Sequence, residues 1–272
     1  MKSSTVPKVQ AQSPGFSPRE DVRVKPFEWT SQEPHPADSQ LDSWARGRLL
    51  GFDLETTGVD PFDDVPVSAA LVYVQGGRTV NVDHFLIDPG RPIPSQAVAI
   101  HGITTARAAS EGVTLESGIS HIIAALGFAS ATGAVVAGMN LSYDLTMIDA
   151  VSRRRFGTGV VLPDLRVVDV LVIDRHFDRF RKGKRTLQML CSHYGVDLPS
   201  AHDAAGDAGA AVAVAMAQAE QYPDLGRLSI DELHASEVKW HEEWAKSYSK
   251  WRTEHGRVSL PAGSWRWPVC SQ

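Results

Sequence analysis

The stretch "GFDLETTGVD", residues 51–60, begins as an apolar strand and ends in two carboxylates, Asp53 and Glu55, ahead of a Thr-Thr-Gly turn. Side chains along a strand alternate between faces, so Leu50, Phe52 and Leu54 share one face while Leu49, Gly51, Asp53 and Glu55 share the other. Two ionised carboxylates about 7 Å apart repel by about 2 kcal/mol at an effective dielectric of about 20. The repulsion is relieved if one carboxyl keeps its proton, if a cation sits between the pair, or if the strand end emerges into solvent. Hard oxygen ligands without an adjacent Lys or Arg suit a divalent cation such as Mg²⁺.

Outward from that stretch, "GRLLGFDLE" (47–55), "PVSAALVYVQ" (66–75) and "TVNVDHFLID" (79–88) read as strands, the last two joined by a Gly-Gly hairpin signal. They predict an antiparallel meander. A helix over 114–129 follows, with Ile119, Ile122, Ile123 and Leu126 at helical spacing. Next come a short buried strand at 134–140, a helix at 142–156, a strand at 165–173 and a helix at 185–195 closed by Gly195. The helix at 204–221 is rich in small residues that permit close approach to a sheet. Antiparallel strands followed by alternating helices and strands imply an α/β layered domain: a mixed sheet, the meander plus parallel strands, flanked by helices.

With 43% hydrophobic and 22% charged residues, the 272-residue chain has the composition of a soluble globular protein, not a fibrous or membrane one. Cys191 and Cys270 lie far apart without a CxxC, which argues against a disulfide framework or a zinc site. The longest apolar run, 209–217, is short of the roughly 20 residues of a membrane span, and the N-terminus has no apolar signal core. A cytoplasmic setting is expected. The net charge of −5 gives no global attraction to a polyanion, so nucleic-acid affinity would rest on local basic patches. Residues 1–44, rich in Pro, Ser, Gln and Lys, read as a flexible tail.

Two further segments carry chemistry. In "AGMNLSYDLTMIDA", Asp144 falls in the first turn of a helix after a strand ending at Asn140; the helix dipole alone would also account for it. In "SAHDAAGDAGAA", His202 precedes a helix, Asp203 is a candidate N-cap and Asp207 lies in the second turn. A histidine can move a proton near neutral pH.

Taken in order, "FDLETTG", "NLSYD" and "HDAAGD" resemble the three motifs of the DEDDh, or DnaQ-like, 3'-5' exonucleases, and "PSQAVAIHGIT" (94–104) resembles their PxxAxxxHGIT segment. The likeness covers residues 47 to about 222, within a domain taken as 45–225. It implies a ribonuclease H-like fold. It further implies two Mg²⁺ or Mn²⁺ ions held by Asp53, Glu55, Asp144 and Asp207, with His202 accepting a proton from the attacking water. By the same resemblance Thr56, Thr57, His101, Asn140 and Thr104 are candidate substrate contacts. Gln96 stands where several relatives carry a Glu, and keeps hydrogen-bonding capacity without the charge. Asp169 takes an outer position around the site.

"RHFDRFRKGKRTLQ" (175–188) interleaves basic residues with Phe177 and Phe180, a pattern that either tracks a single strand or forms a solvated face. Over 226–256 an amphipathic helix is expected, with Leu233, Trp240, Trp244, Tyr248 and Trp251 as a stripe that packs back on the core or docks a polymerase or a second copy. A tail over 257–272 would close the chain. The expected function is a metal-dependent 3'-5' exonuclease acting on single-stranded DNA ends, with an RNA-trimming relative and a nonenzymatic polymerase-associated scaffold as the alternatives.

Overall fold

The structure, a computed structural model, describes residues 27, 29, 43–160, 162, 164–198 and 203–271. Strands β1 (Arg48–Thr56), β2 (Pro66–Gln75), β3 (Arg78–Asp88), β4 (Val113–Thr114), β5 (Val135–Gly138) and β6 (Arg166–Asp169) form a six-stranded sheet in the order β4-β3-β2-β1-β5-β6. The meander is as expected: β1 pairs antiparallel with β2, and β2 with β3. The hairpin between β2 and β3 turns through Gly76 (φ 58°) and Gly77 (φ 74°), the positive dihedrals that a tight two-residue turn demands. On the other side of β1, β5 and then β6 run parallel to it.

The alternation read in β1 divides the molecule into two cores. Leu50, Phe52 and Leu54 pack with Ile119, Ile122 and Leu126 of α3 (Leu115–Thr132) and with Met147 and Ile148 of α4 (Leu141–Phe156). Leu49 faces the opposite core, with Ala208 and Val212 of α7 (Ala204–Gln221) and Leu190 of α6 (Leu187–Tyr194). Full burial of a side chain such as Phe52 stabilises the fold by about 1.5–3 kcal/mol. Gly51 is where α7 meets the sheet: a Cβ there would lie 2.8 Å from the Ala208 carbonyl oxygen and 2.9 Å from Val212 Cγ2. The small residues of α7 thus set the distance between Asp207 and β1.

Several expectations change. The strand expected over 165–173 ends at Asp169, where α5 (Val170–Phe177) begins; Asp169 is its N-cap, accepting the Leu171 N–H at 2.9 Å. A continuous apolar run does not distinguish a buried strand from a buried helix. The segment before the first long helix contains α1 (Ser95–His101) and α2 (Thr105–Glu111), the latter capped by Thr104. Within 1–44, Phe27 and Trp29 pack on Tyr73 and Phe128, and Trp44 is buried. The segment 257–272 is no free tail either: Trp267 is buried in the α3/α4 core, and the Cys270 N–H donates to Thr146 Oγ1 at 2.8 Å.

The amphipathic C-terminal helix is α9 (Ile230–Glu254), opened by a Ser229–Glu232 capping box. It packs back on β6 and α5 through Leu233, Glu237, His241, Ala245 and Ser249, joined by Trp240 of the aromatic stripe against His176 and Phe177, while Trp251 at the stripe's far end stays exposed. The polar members of that face have a purpose. β6 is an edge strand, and its Val167 and Asp169 N–H groups donate to His234 Nδ1 (3.2 Å) and Glu237 Oε1 (2.8 Å). Side chains of α9 therefore stand in for the next strand and close the edge.

Candidate active site

Because β1 and β5 are parallel, the end of β1 and the start of α4 lie at the same edge of the sheet, and α7 crosses beside them. Carboxylate oxygens of Asp53, Glu55 and Asp207 come within 4.8 Å of one another. Asp144, buried in the first turn of α4, stands next to this group and adds its charge to that felt by Asp53. The Asp53 carboxyl is held well above the usual carboxylate range by burial, then by Asp144, Glu55, Asp207 and Asp203. Burial together with Asp207 and Asp203 pushes Glu55 up to about 7. Asp144 is likewise raised, first by burial and then against backbone hydrogen bonds that favour its charge.

Such a cluster is costly in a partly dry site, and an all-oxygen donor set of this kind fits a hard divalent cation. Of the four expected metal ligands, the structure brings Asp53, Glu55 and Asp207 within ligating reach of one another and keeps Asp144 alongside. His202 lies outside the described residues. Asp203 caps α7 by position but makes no side-chain cap bond.

Asp169 is the residue that aims α4. Its Oδ1 accepts the Asn140 N–H and its Oδ2 the Leu141 N–H, each at 2.9 Å, so two amides at the head of the helix that lack intrahelical partners are bound. Asn140 occupies the left-handed region (φ 61°), leaving its side chain exposed above the helix start. The outer position expected for Asp169 is thus a buried one, beneath the helix that carries Asp144.

The two threonines of the turn part company. Thr56 Oγ1 bonds Gly58 O (2.8 Å) and Tyr143 OH (2.9 Å), and Tyr143 OH also donates to Gly58 O, clamping the turn to α4. Thr57 is 2% exposed; its Oγ1 donates to Asp64 Oδ1 and accepts from the Val65 N–H and Arg91 Nη2. Its hydroxyl is thus engaged within the loop. Tyr143 was part of the recognised motif but not of the expected contact set; its place one turn from Asn140, on the face that carries Asp144's neighbours, is the signal that could have found it.

His101 ends α1 beside this turn. Its Nδ1 accepts the Ile103 N–H at 3.1 Å, and burial lowers its pKa against the backbone of Thr56, so the ring is neutral near pH 7. Gln96 is exposed on α1 and Thr104 is engaged in capping α2, where its Oγ1 accepts the Arg107 N–H. The basic run divides too. Arg181 and Arg185 pair with the fully buried Asp174, whose other oxygen accepts from Tyr194 OH, whereas Arg175 and Arg179 make no ion pair among the described residues. No described helix is long and apolar enough to cross a membrane.

A DNA polymerase III subunit epsilon-like protein from Rhodobacter capsulatus is 32% identical over 63% of this chain and 23% of its own length. A DNA polymerase III PolC-type chain from Caldanaerobacter subterraneus is 23% identical over 70% of this chain and 13% of its own. The chain therefore spans less than a quarter of the length of either relative. In fold it is similar to E. coli exonuclease I in complex with a dT13 oligonucleotide, with a TM-score of 0.54 and 21% identity over 66% of this chain and 42% of that one. A second structure of exonuclease I gives a TM-score of 0.56 at 22% identity, over 65% of this chain and 42% of that one. The six-stranded mixed sheet is thus the ribonuclease H-like fold of these exonucleases. The RNase_T exonuclease family model matches residues 50–215, the part of the chain that carries all three motifs and every strand but the first residues of β1, and the chain belongs to that family.

Proposed function

We propose that this protein is a metal-dependent 3'-5' exonuclease that removes nucleoside 5'-monophosphates from single-stranded ends, DNA in preference to RNA. The observation that carries the reading is the meeting of Asp53, Glu55 and Asp207 at the sheet edge, with the proton affinities of Asp53 and Glu55 raised by burial and by the neighbouring carboxylates, in a chain of the exonuclease family. The preference for DNA is supported by the relatives, whose matching regions sit in DNA polymerase III chains.

Asp53, Glu55, Asp144 and Asp207 would hold the metal. The chemistry that two bound divalent cations, Mg²⁺ or Mn²⁺, supply there is neutralisation of charge on the phosphodiester and on its attacking and leaving oxygens. His202 takes the proton of the attacking water. The turn clamped by Thr56 and Tyr143 receives the last nucleotide, and the neutral ring of His101 borders it. Asn140, exposed at the head of α4, and Gln96, exposed on α1, stand at the mouth to hydrogen-bond the terminal sugar or phosphate.

The test is degradation of 5'-labelled single-stranded DNA and of RNA of matched sequence by the purified full chain with Mg²⁺, Mn²⁺ or EDTA. A ladder shortened from the 3' end, faster on DNA and abolished by EDTA, is expected. A ladder only on RNA would transfer the reading to an exoribonuclease, and inertness on both would refute it.

A further inference from the structure

Between α5, the loop after it and the outer side of α9 lies a cavity of about 710 Å³ whose lining includes Arg175, Arg179, Trp244, Tyr248, Trp251 and one acidic residue, Glu243. Sites that hold organic ligands span roughly 300–1,000 Å³. One wall is a ladder of rings. Trp244 and Tyr248 lie 5.3 Å apart between centroids with planes 14° apart, Tyr248 and Trp251 follow at 5.8 Å and 10°, and His255 continues at 4.4 Å and 29°. From Trp244 to His255 the ladder runs along the helix for about 16 Å, longer than one nucleotide.

Cations accompany the rings. The Arg175 guanidinium sits 3.6 Å from the Trp244 centroid, Arg252 is 5.7 Å from Tyr248, and Arg257 is 5.4 Å from Trp251. Glu243, the acidic residue of the lining, lies 4.0 Å from Lys239, so its charge is partly offset. Trp240 helps fasten α9 to α5 alongside the Leu233–Glu237–His241 face, but Trp251, farther along the same stripe, remains 40% exposed. Arg175, on the groove wall, favours the charge of the buried Asp169, and Asp169 in turn binds the head of α4.

We propose that this groove is a path for a single strand of nucleic acid, with bases stacked along the open end of the ladder at Tyr248 and Trp251 and phosphates against Arg179. Planar rings beside the exposed Arg179 match a strand's bases and phosphates, and each stacked base strengthens binding without regard to sequence. The proposal rests on the exonuclease reading for its direction: the strand held here leads its 3' end to Asp53, Glu55 and Asp207.

The test is fluorescence anisotropy of the full chain, in EDTA, with a labelled thymidine oligonucleotide of about 20 nucleotides and with a trinucleotide. It is repeated on Trp251→Ala and Arg179→Ala, both at exposed positions whose variants should keep the parent's melting curve. Affinity for the long oligonucleotide should fall about tenfold in Trp251→Ala, and its salt dependence should flatten in Arg179→Ala. Trinucleotide binding, and its hydrolysis once Mg²⁺ is restored, should not change. Equal losses on long and short oligonucleotides, or none on either, would overturn the proposal. So would displacement of the long oligonucleotide by free thymidine monophosphate in the parent but not in Trp251→Ala, which would assign the groove to a mononucleotide. Unchanged DNA affinity with loss of a dimer in sedimentation would assign the ladder to a second copy of the chain. Binding is read without hydrolysis, so an inert enzyme that loses long-strand affinity in both variants would keep the groove and refute the nuclease, while the reverse pattern would do the opposite.

Discussion

At the scale of single residues, the account turns on Glu55 and the carboxylates around it. Their positions were legible because alternation on β1 fixes which side chains share a face, and because Asp144 and Asp207 follow in the right order. The allocation of the two threonines was not legible: adjacent residues in a turn give no period, and only the Asp64 and Arg91 contacts show that Thr57 points inward. Glu55 carries a pH signature. Folding without metal raises its pKa from the ordinary value near 4.5 to about 7, so the folded state binds more protons than the unfolded one across that window. Stability therefore declines as pH rises from about 4.5 to about 7, and the penalty is fully developed above that. In EDTA, the difference in urea midpoint between wild type and Glu55→Gln should widen in favour of the variant from pH 5 to pH 7.5. Mn²⁺ should stabilise wild type more at pH 7.5 than at pH 5 and should release protons on binding near pH 7. A pH-independent difference between the two proteins would show that Glu55 is not held in this repulsive environment.

At the scale of elements, the informative contact is α9 on β6. The sequence displays Trp240, Trp244, Tyr248 and Trp251 as the conspicuous stripe of this helix, and apolarity alone nominates that stripe for burial. The buried face is partly polar because an edge strand presents amides as well as side chains, and Glu237 and His234 accept them. Similarly, the end of β6 is invisible to hydrophobicity and is set by Asp169 acting as N-cap of α5. Glu237 is fully buried, burial and Asp169 raise its proton affinity, and its Oε1 accepts the Asp169 N–H, a role that an amide oxygen can fill. Glu237→Gln should change stability by less than about 1 kcal/mol, whereas Glu237→Ala, which strands the Asp169 N–H and opens a cavity, should cost about 2–4 kcal/mol in urea denaturation. Equal costs for the two substitutions would remove the hydrogen bond from the explanation.

For the whole molecule, the order of strands was legible from the meander and from the alternation of helices and strands that follows it, and the sheet brings distant motifs to one edge because β1, β5 and β6 are parallel. What the chain beyond the domain does was less legible. The 257–272 segment has little periodicity, yet Trp267 is buried against the α3/α4 core, a long-range contact that no local pattern encodes. Both α9 and this segment reach β6 or α4, the elements that position Asp169 and Asp144, so the C-terminal region buttresses the site from behind. The central claim is that the carboxylate cluster at the end of β1 is the catalytic centre. The most direct measurement is the rate of 3' shortening of 5'-labelled single-stranded DNA in saturating Mn²⁺ by wild type and by Asp53→Ala, with folding of both checked by thermal melting. A loss of at least about a thousandfold in a variant that melts no lower than wild type in EDTA is expected, since removal of one carboxylate relieves repulsion while dismantling the site. Shortening by Asp53→Ala at a rate within about tenfold of wild type would contradict the assignment.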